Sequence, residues 1–139
     1  MRVVIDASVA LKWIIRQPET EPNVDQALAV LRGIRIRTIE AIAPAHFVAE
    51  VLAVVARTRP QRVPITFGIF RSAHIEIVAT DMVLRRAAEL TIGLQHHLFD
   101  TLYHAVALET GATLVTADQV YFGKASGLGN IQLLSAFAV

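Results

Sequence analysis

The stretch Arg2-Val3-Val4-Ile5-Asp6-Ala7-Ser8 decides how the rest of the chain is read. Three consecutive β-branched apolar residues fit a strand covered on both faces, as in a parallel sheet, better than a strand with one wet face. An acid closes the run, and Ser8 is suited to open a helix through Leu11, Trp13 and Ile15 that Pro18 ends. A second handover from strand to helix is read in Thr113-Leu114-Val115-Thr116-Ala117-Asp118. Here too an acid stands where the apolar run stops.

Between these two stretches the pattern alternates. Thr20 to Leu31 reads as a helix with Pro22 near its start and Gly33 as its stop. Ile39 to Ala43 is a strand candidate, and Pro44 fits the first turn of a long helix to about Arg57, ended by Arg59-Pro60. A helix from Ile65 to about Ser72 and a strand near Ile75 to Val78 follow. Asp81 caps a helix carrying Val83, Ala87, Leu90 and Leu94 and ending near Gly93; another runs from Thr101 to Thr110 with Gly111 as its stop. Ala112 to Val115 is a strand, Asp118 to about Ala125 a short helix, and Ile131 to Leu134 a last strand. Strands alternating with helices predict an α/β fold, a mostly parallel sheet of four to five strands covered on both faces. Residues 1–139 have the length of one domain, with no linker and no repeat.

Composition narrows the function. The chain is 54% apolar and 18% charged, rich enough in apolar residues to predict a covering partner, as a homodimer or higher oligomer or in a complex. No run approaches a membrane span, so no membrane role is expected. The N-terminus lacks the pattern of a secretion signal and the chain has no cysteine, which together predict a cytoplasmic protein. A net charge of +1 excludes a global basic coat but allows local patches: Lys12 with Arg16, Arg32 with Arg35 and Arg37, and Arg57 with Arg59 and Arg62. Each also fits an ordinary solvated face.

Four acids stand out by placement: Asp6, Glu50, Asp100 and Asp118. In a parallel sheet, segments after the strand ends share one edge, so acids distant in sequence can converge there. Two ionised carboxylates about 5 Å apart repel by roughly 3 kcal/mol at an effective dielectric near 20, so such a cluster calls for a cation or shifted pKa values. Each acid has a plainer role open to it. Asp6, Asp100 and Asp118 could cap the helices that follow them. Glu50, placed about two turns inside its helix among Phe47, Val48, Val51, Leu52 and Val54, is beyond the reach of capping but could face water. His104, one turn after Asp100, is a candidate hydrogen-bond partner for that carboxylate. His96 and His97 form a polar hinge before Asp100, and no histidine pair has the spacing of a zinc helix.

The segments Val4-Ile5-Asp6-Ala7-Ser8, Phe99-Asp100-Thr101-Leu102-Tyr103-His104-Ala105 and Thr113 to Asp118, with Ala49-Glu50-Val51 between them, resemble a PIN domain, and within that superfamily the VapC-type toxins of toxin–antitoxin pairs. The resemblance covers essentially the whole chain. It implies a three-layer α/β/α sandwich and a metal-dependent ribonuclease, an endonuclease, whose acidic quartet is Asp6, Glu50, Asp100 and Asp118. Asp6, Asp100 and Asp118 would hold Mg²⁺ or Mn²⁺, which favour oxygen ligands. Glu50 would orient or deprotonate the attacking water, while Ser8 and Thr116 support the carboxylates. RNA is the implied substrate, with Lys12, Arg16, Arg57 and Arg59 as candidate phosphate contacts, and a cognate antitoxin the implied partner. Where some relatives carry a further acid or asparagine after the last motif, this chain has Tyr121-Phe122, which leaves one or two ions open. Two other readings compete. A catalytically degenerate PIN domain would serve as a protein- or RNA-binding module and need no ion. An aspartate-based phosphatase would need a second acid two residues after Asp6, where Ser8 stands.

Overall fold

The computed structural model describes residues 1–139. Five strands, β1 (Arg2–Ile5), β2 (Glu40–Pro44), β3 (Glu76–Val78), β4 (Thr113–Thr116) and β5 (Ile131–Leu133), form one sheet in the order β3-β2-β1-β4-β5. Every neighbouring pair is parallel. The helices are α1 (Ala7–Ile14), α2 (Val24–Arg35), α3 (Phe47–Thr58), α4 (Val63–Ala73), α5 (Asp81–Leu94), α6 (Leu98–Thr110) and α7 (Gln119–Ala125). Val3, Val4 and Ile5 are wholly buried, as a strand with helices over both faces requires. The fold is the expected three-layer α/β/α sandwich.

Chain order fixes where the sheet opens. From central β1 the chain winds outward through β2 to β3, then returns to the other side of β1 as β4 and β5. The reversal lies between β1 and β4, and the crevice beyond the carboxyl ends of those two strands is where open α/β sheets bind ligands. Ile5 pairs with Val115 there, and the Asp6 amide still donates to the Val115 carbonyl at 3.3 Å. Asp6 and Thr116 are thus neighbours at the mouth of the switch point.

Away from that mouth the core is closed by Trp13, fully buried, whose Nε1 donates to the Ala27 carbonyl at 2.8 Å and clasps α1 to α2. Gly33 is not the stop of α2. It lies inside the helix, where an added Cβ would come within 2.8 Å of Ile39 Cδ1 and 2.9 Å of Val139 Cγ1, so its role is close packing. The helix ends instead as Arg37 takes a left-handed conformation (φ 64°). It also begins later than the spacing predicts, at Val24 after the left-handed Asn23.

Two further boundaries bear on the acids. Pro44 is the last residue of β2, paired with Val78, and not part of a helix; α3 begins at Phe47. Glu50 is therefore a first-turn acid, not one two turns deep, and the positive end of the helix dipole favours it. α6 begins at Leu98, which makes Asp100 a residue of its first turn and not its cap. Likewise Thr80, not Asp81, caps α5, its hydroxyl accepting from the Val83 amide at 3.2 Å.

Candidate metal centre

Asp6 ends β1, and its backbone carbonyl accepts from the Val9 and Ala10 amides to start α1. Its side chain does not cap that helix. Oδ2 instead accepts from the Ser8 hydroxyl and from Thr116 Oγ1, the latter at 2.9 Å. The two hydroxyls are themselves anchored, Ser8 Oγ accepting from the Ala117 amide and Thr116 Oγ1 from the Asp118 amide, each at 3.0 Å. A hydroxyl from the start of α1 and one from the end of β4 thereby fix one oxygen of Asp6.

Asp118 does cap α7: its Oδ1 accepts from the Tyr121 amide at 3.0 Å. Asp100 Oδ2 is 2.7 Å from His96 Nε2. Each of the three carboxylates therefore commits one oxygen to the protein, while Asp6 Oδ1, Asp100 Oδ1 and Asp118 Oδ2 take none of these bonds. All three acids line a cavity of about 10 Å³ with Leu114, Thr116 and Tyr121. That is about the space of one water or a small ion. A hard divalent ion suits this donor set: three carboxylates, each with an oxygen to spare and no soft ligand among them.

The electrostatics report the same convergence. Burial pushes the Asp6 carboxyl up to about 6, against the opposing effect of the Ser8 and Thr116 hydroxyls, and the charges of Glu50 and Asp100 add to the rise. The Tyr121 phenol is raised by burial and then by the charges of Asp100, Asp6 and Asp118. Its ring is buried beside the cavity, and its hydroxyl bonds to His104 Nδ1 at 3.0 Å. Tyr121 thus closes one side of the cavity without offering it a carboxylate.

Glu50 does not line that cavity. It opens onto a groove with His46, Ala49 and Phe99, and its Oε2 accepts from the Tyr103 hydroxyl at 2.7 Å and lies 3.1 Å from His46 Nε2. Tyr103 connects the two places: burial raises its phenol first, then the charge of Asp6, then the bond to Glu50. The quartet is three acids around one cavity and a fourth reached through a buried tyrosine.

His104 does not meet Asp100. Its Nε2 donates to the Gly129 carbonyl at 2.8 Å and its Nδ1 faces the Tyr121 hydroxyl, so burial holds its pKa down. His96 takes that place, and ligand-capable atoms of His96, Asp100 and Asp118 lie within 4.8 Å of one another. The sequence carried a signal for it: His96 and His104 flank Asp100 at equal spacing, four residues on either side. Tyr103, three residues after Asp100, carried no signal beyond its place in the Phe99–Ala105 segment.

The candidate cations are less accessible to a substrate than their spacing predicts. Lys12 is buried and lies 3.9 Å from Glu21, which removes it from the set free to meet phosphate. Arg16 donates to the Trp13 carbonyl at 3.0 Å, satisfying the carboxyl end of α1 and not the end that meets the acids. Arg57 is exposed near the end of α3, and Arg59 donates to the Thr58 carbonyl at 2.8 Å.

Comparison with known proteins bears on the family and the fold. The PIN domain family matches residues 3–128, and the chain belongs to that family. Its fold is similar to solved structures of VapBC2 from Rickettsia felis bound to a promoter DNA fragment (20% identity, TM-score 0.69, 96% of this chain and 97% of that one). It is also similar to VapBC-1 from nontypeable Haemophilus influenzae (14% identity, TM-score 0.64, 97% and 99%). A third likeness is to VapC20 of Mycobacterium tuberculosis, described as a sarcin–ricin loop cleaving toxin (13% identity, TM-score 0.64, 88% and 95%). No curated protein sequence matches the chain. No helix is long and apolar enough to cross a membrane.

Proposed function

We propose that this PIN domain is a divalent-metal-dependent nuclease that hydrolyses RNA, an endonuclease acting as the toxin of a toxin–antitoxin pair. The observation that carries the reading is the convergence of Asp6, Asp100 and Asp118 on one small cavity at the sheet's switch point, each with an oxygen to spare. Asp6, Asp100 and Asp118 hold Mg²⁺ or Mn²⁺, and Ser8 and Thr116 keep Asp6 turned toward it. When bound, such an ion supplies positive charge against the phosphate and acidifies water in the site. Glu50, its Oε2 engaged by Tyr103, offers Oε1 to orient a water molecule and take its proton. Arg57 and Arg59 meet flanking phosphates, so affinity falls with salt. The structural likeness to a toxin described as cleaving the sarcin–ricin loop supports RNA as substrate, and the toxin–antitoxin complexes support a protein partner.

Exposed apolar side chains, Ile92 at 79% and Ile36 at 71% among them, leave surface for that antitoxin or for a second copy of the chain in a homodimer or larger oligomer. Such a toxin acts in the cytoplasm, where its RNA is. Purified chain incubated with RNA should cut internally with Mg²⁺ or Mn²⁺ and stop on addition of EDTA. Metal-independent cutting would overturn the metal dependence, and no cutting with either ion in the folded chain would overturn the proposal in favour of a binding module.

A further inference from the structure

His96 lies against the acid cavity, its side chain 9% exposed and packed on Tyr121 with ring centroids 4.9 Å apart. Two roles fit that place: ligand to an ion, or brace for Asp100. The ring's proton separates them, because an imidazole nitrogen ligates only through a lone pair. The Lys124 ammonium stands 3.2 Å from His96 Nδ1 and has only protons to give. Nδ1 therefore accepts. The ring's single proton then sits on Nε2, which donates to Asp100 Oδ2 at 2.7 Å. With Nδ1 accepting and Nε2 donating, neither nitrogen has a lone pair left for an ion, although the ring is close enough to reach one.

We infer that His96 is a positioning residue: Lys124 occupies its Nδ1 lone pair, and Nε2 holds Asp100 Oδ2 so that Oδ1 is the oxygen turned to the ion. The local backbone supports the arrangement. Gln95 adopts a left-handed conformation (φ 51°) that folds His96 back over the first turn of α6, and its carbonyl accepts from Lys124 at 3.4 Å. Lys124 lies in the last turn of α7, the helix that Asp118 caps. One short helix thus carries one acid of the site and, through Lys124 and His96, sets the orientation of another. The inference rests on the reading of Asp100 as a metal-holding acid.

Long-range proton–nitrogen NMR correlations of the ¹⁵N-labelled, metal-free protein test the first half without any ion. His96 should carry its proton on Nε2, and that proton should persist at saturating Mg²⁺. A proton on Nδ1, or loss of the Nε2 proton as Mg²⁺ binds, overturns the inference, the latter by making His96 a ligand. Lys124→Met should free the Nδ1 lone pair while Asp100 keeps the proton on Nε2, so the Nδ1 nitrogen shift should move toward that of an unbonded imidazole nitrogen; an unchanged Nδ1 shift removes Lys124 from the chain of contacts. Mn²⁺ titration followed by electron paramagnetic resonance tests the second half. His96→Ala should weaken binding by about 10–100-fold, the scale of losing such a supporting partner. His96→Gln, whose amide nitrogen reaches the place of Nε2, should recover it to within about threefold. Equal losses in both variants, or none in His96→Ala, overturn the inference. A wild type that binds no Mn²⁺ sinks the metal reading and the role of His96 with it, whereas the NMR result reports only on the Lys124–His96–Asp100 contacts, so the two failures are told apart.

Discussion

Asp6 and Glu50 are both acids of the expected quartet, but the fold treats them differently. Asp6 is fixed at the end of a central strand by two hydroxyls that are themselves tied to backbone amides, and burial has driven its carboxyl up to about 6. Glu50 stands in the first turn of a surface helix, with its side chain 36% exposed, held by one buried phenol and a neighbouring histidine. A ligand for a hard cation needs a fixed oxygen and gains from a site that is uncomfortable without the ion. A residue that takes and releases protons needs access to water. The rigid end of the sheet suits the first task and the helix surface the second.

The division can be broken most decisively at the rigid end. Asp100→Asn should lower RNA cleavage by about 10³-fold or more, since it removes a ligand of the ion whose charge stabilises the transition state. Circular dichroism should show an intact fold, and wild-type turnover would refute the assignment. Next in size is Glu50→Gln, which should cut kcat by about 10²-fold, the scale of a lost general base. Its Mn²⁺ affinity should change far less than that of Asp100→Asn. Single-turnover rates across a Mn²⁺ titration separate the two, because extra metal partly restores a weakened ligand set and does nothing for a missing base. If Glu50→Gln is rescued by metal, both acids do the same work and the contrast collapses.

The centre of the sheet was legible because buried parallel strands leave an unmixed apolar run, and all five strands lie within a residue or two of their expected places. Asp6 and Asp118 were legible for the same reason, as acids ending such runs. What misled was local chemistry with two solutions. Pro44 suits the first turn of a helix as well as the end of a strand, and pairing with Val78 settles it as strand, which moves the start of α3 and with it the depth of Glu50. Histidines four residues before and after Asp100 are equivalent on paper. The left-handed turn at Gln95 brings His96 to Asp100, while the Gly129 carbonyl and Tyr121 hydroxyl capture His104. Lys12 looked free because its partner Glu21 approaches through a loop that no periodicity describes.

A smaller effect should appear in stability without metal. Asp6 titrates at about 6 in the folded chain against 3.8 as the ordinary value, so between those pH values the folded state binds more protons than the unfolded. Stability should therefore fall as pH rises from about 4 to about 6, and above that range the ionised carboxylate costs on the order of 2–3 kcal/mol. Asp6→Asn, which keeps an acceptor for Ser8 and Thr116, should remove that slope and raise the metal-free Tm at neutral pH by several degrees. Saturating Mg²⁺ should close the gap by stabilising only the wild type. Thermal melts with and without ion at pH 4.5 and 7.5 decide it, and a wild type more stable than Asp6→Asn in metal-free neutral buffer would count against the burial cost.

The smallest expected change tests whether Glu50 is held at all. Tyr103→Phe deletes the hydroxyl that donates to Glu50 Oε2 and leaves the buried ring in place. A hydrogen bond to a charged group is worth about 1.5–3 kcal/mol, but His46 Nε2 remains 3.1 Å from the same oxygen, so part of the restraint survives. kcat should fall by about 10-fold, toward the lower end of that range, with KM and Mn²⁺ affinity nearly unchanged. The double variant carries the argument. If Tyr103 acts only by placing Glu50, then adding Tyr103→Phe to Glu50→Gln should cost almost nothing more, a strongly non-additive cycle. Additive losses would mean that Tyr103 acts elsewhere. Asp6 is the nearest candidate, since its charge also raises the Tyr103 phenol, and the buried tyrosine would then belong to the strand end of the site and not to the exposed one.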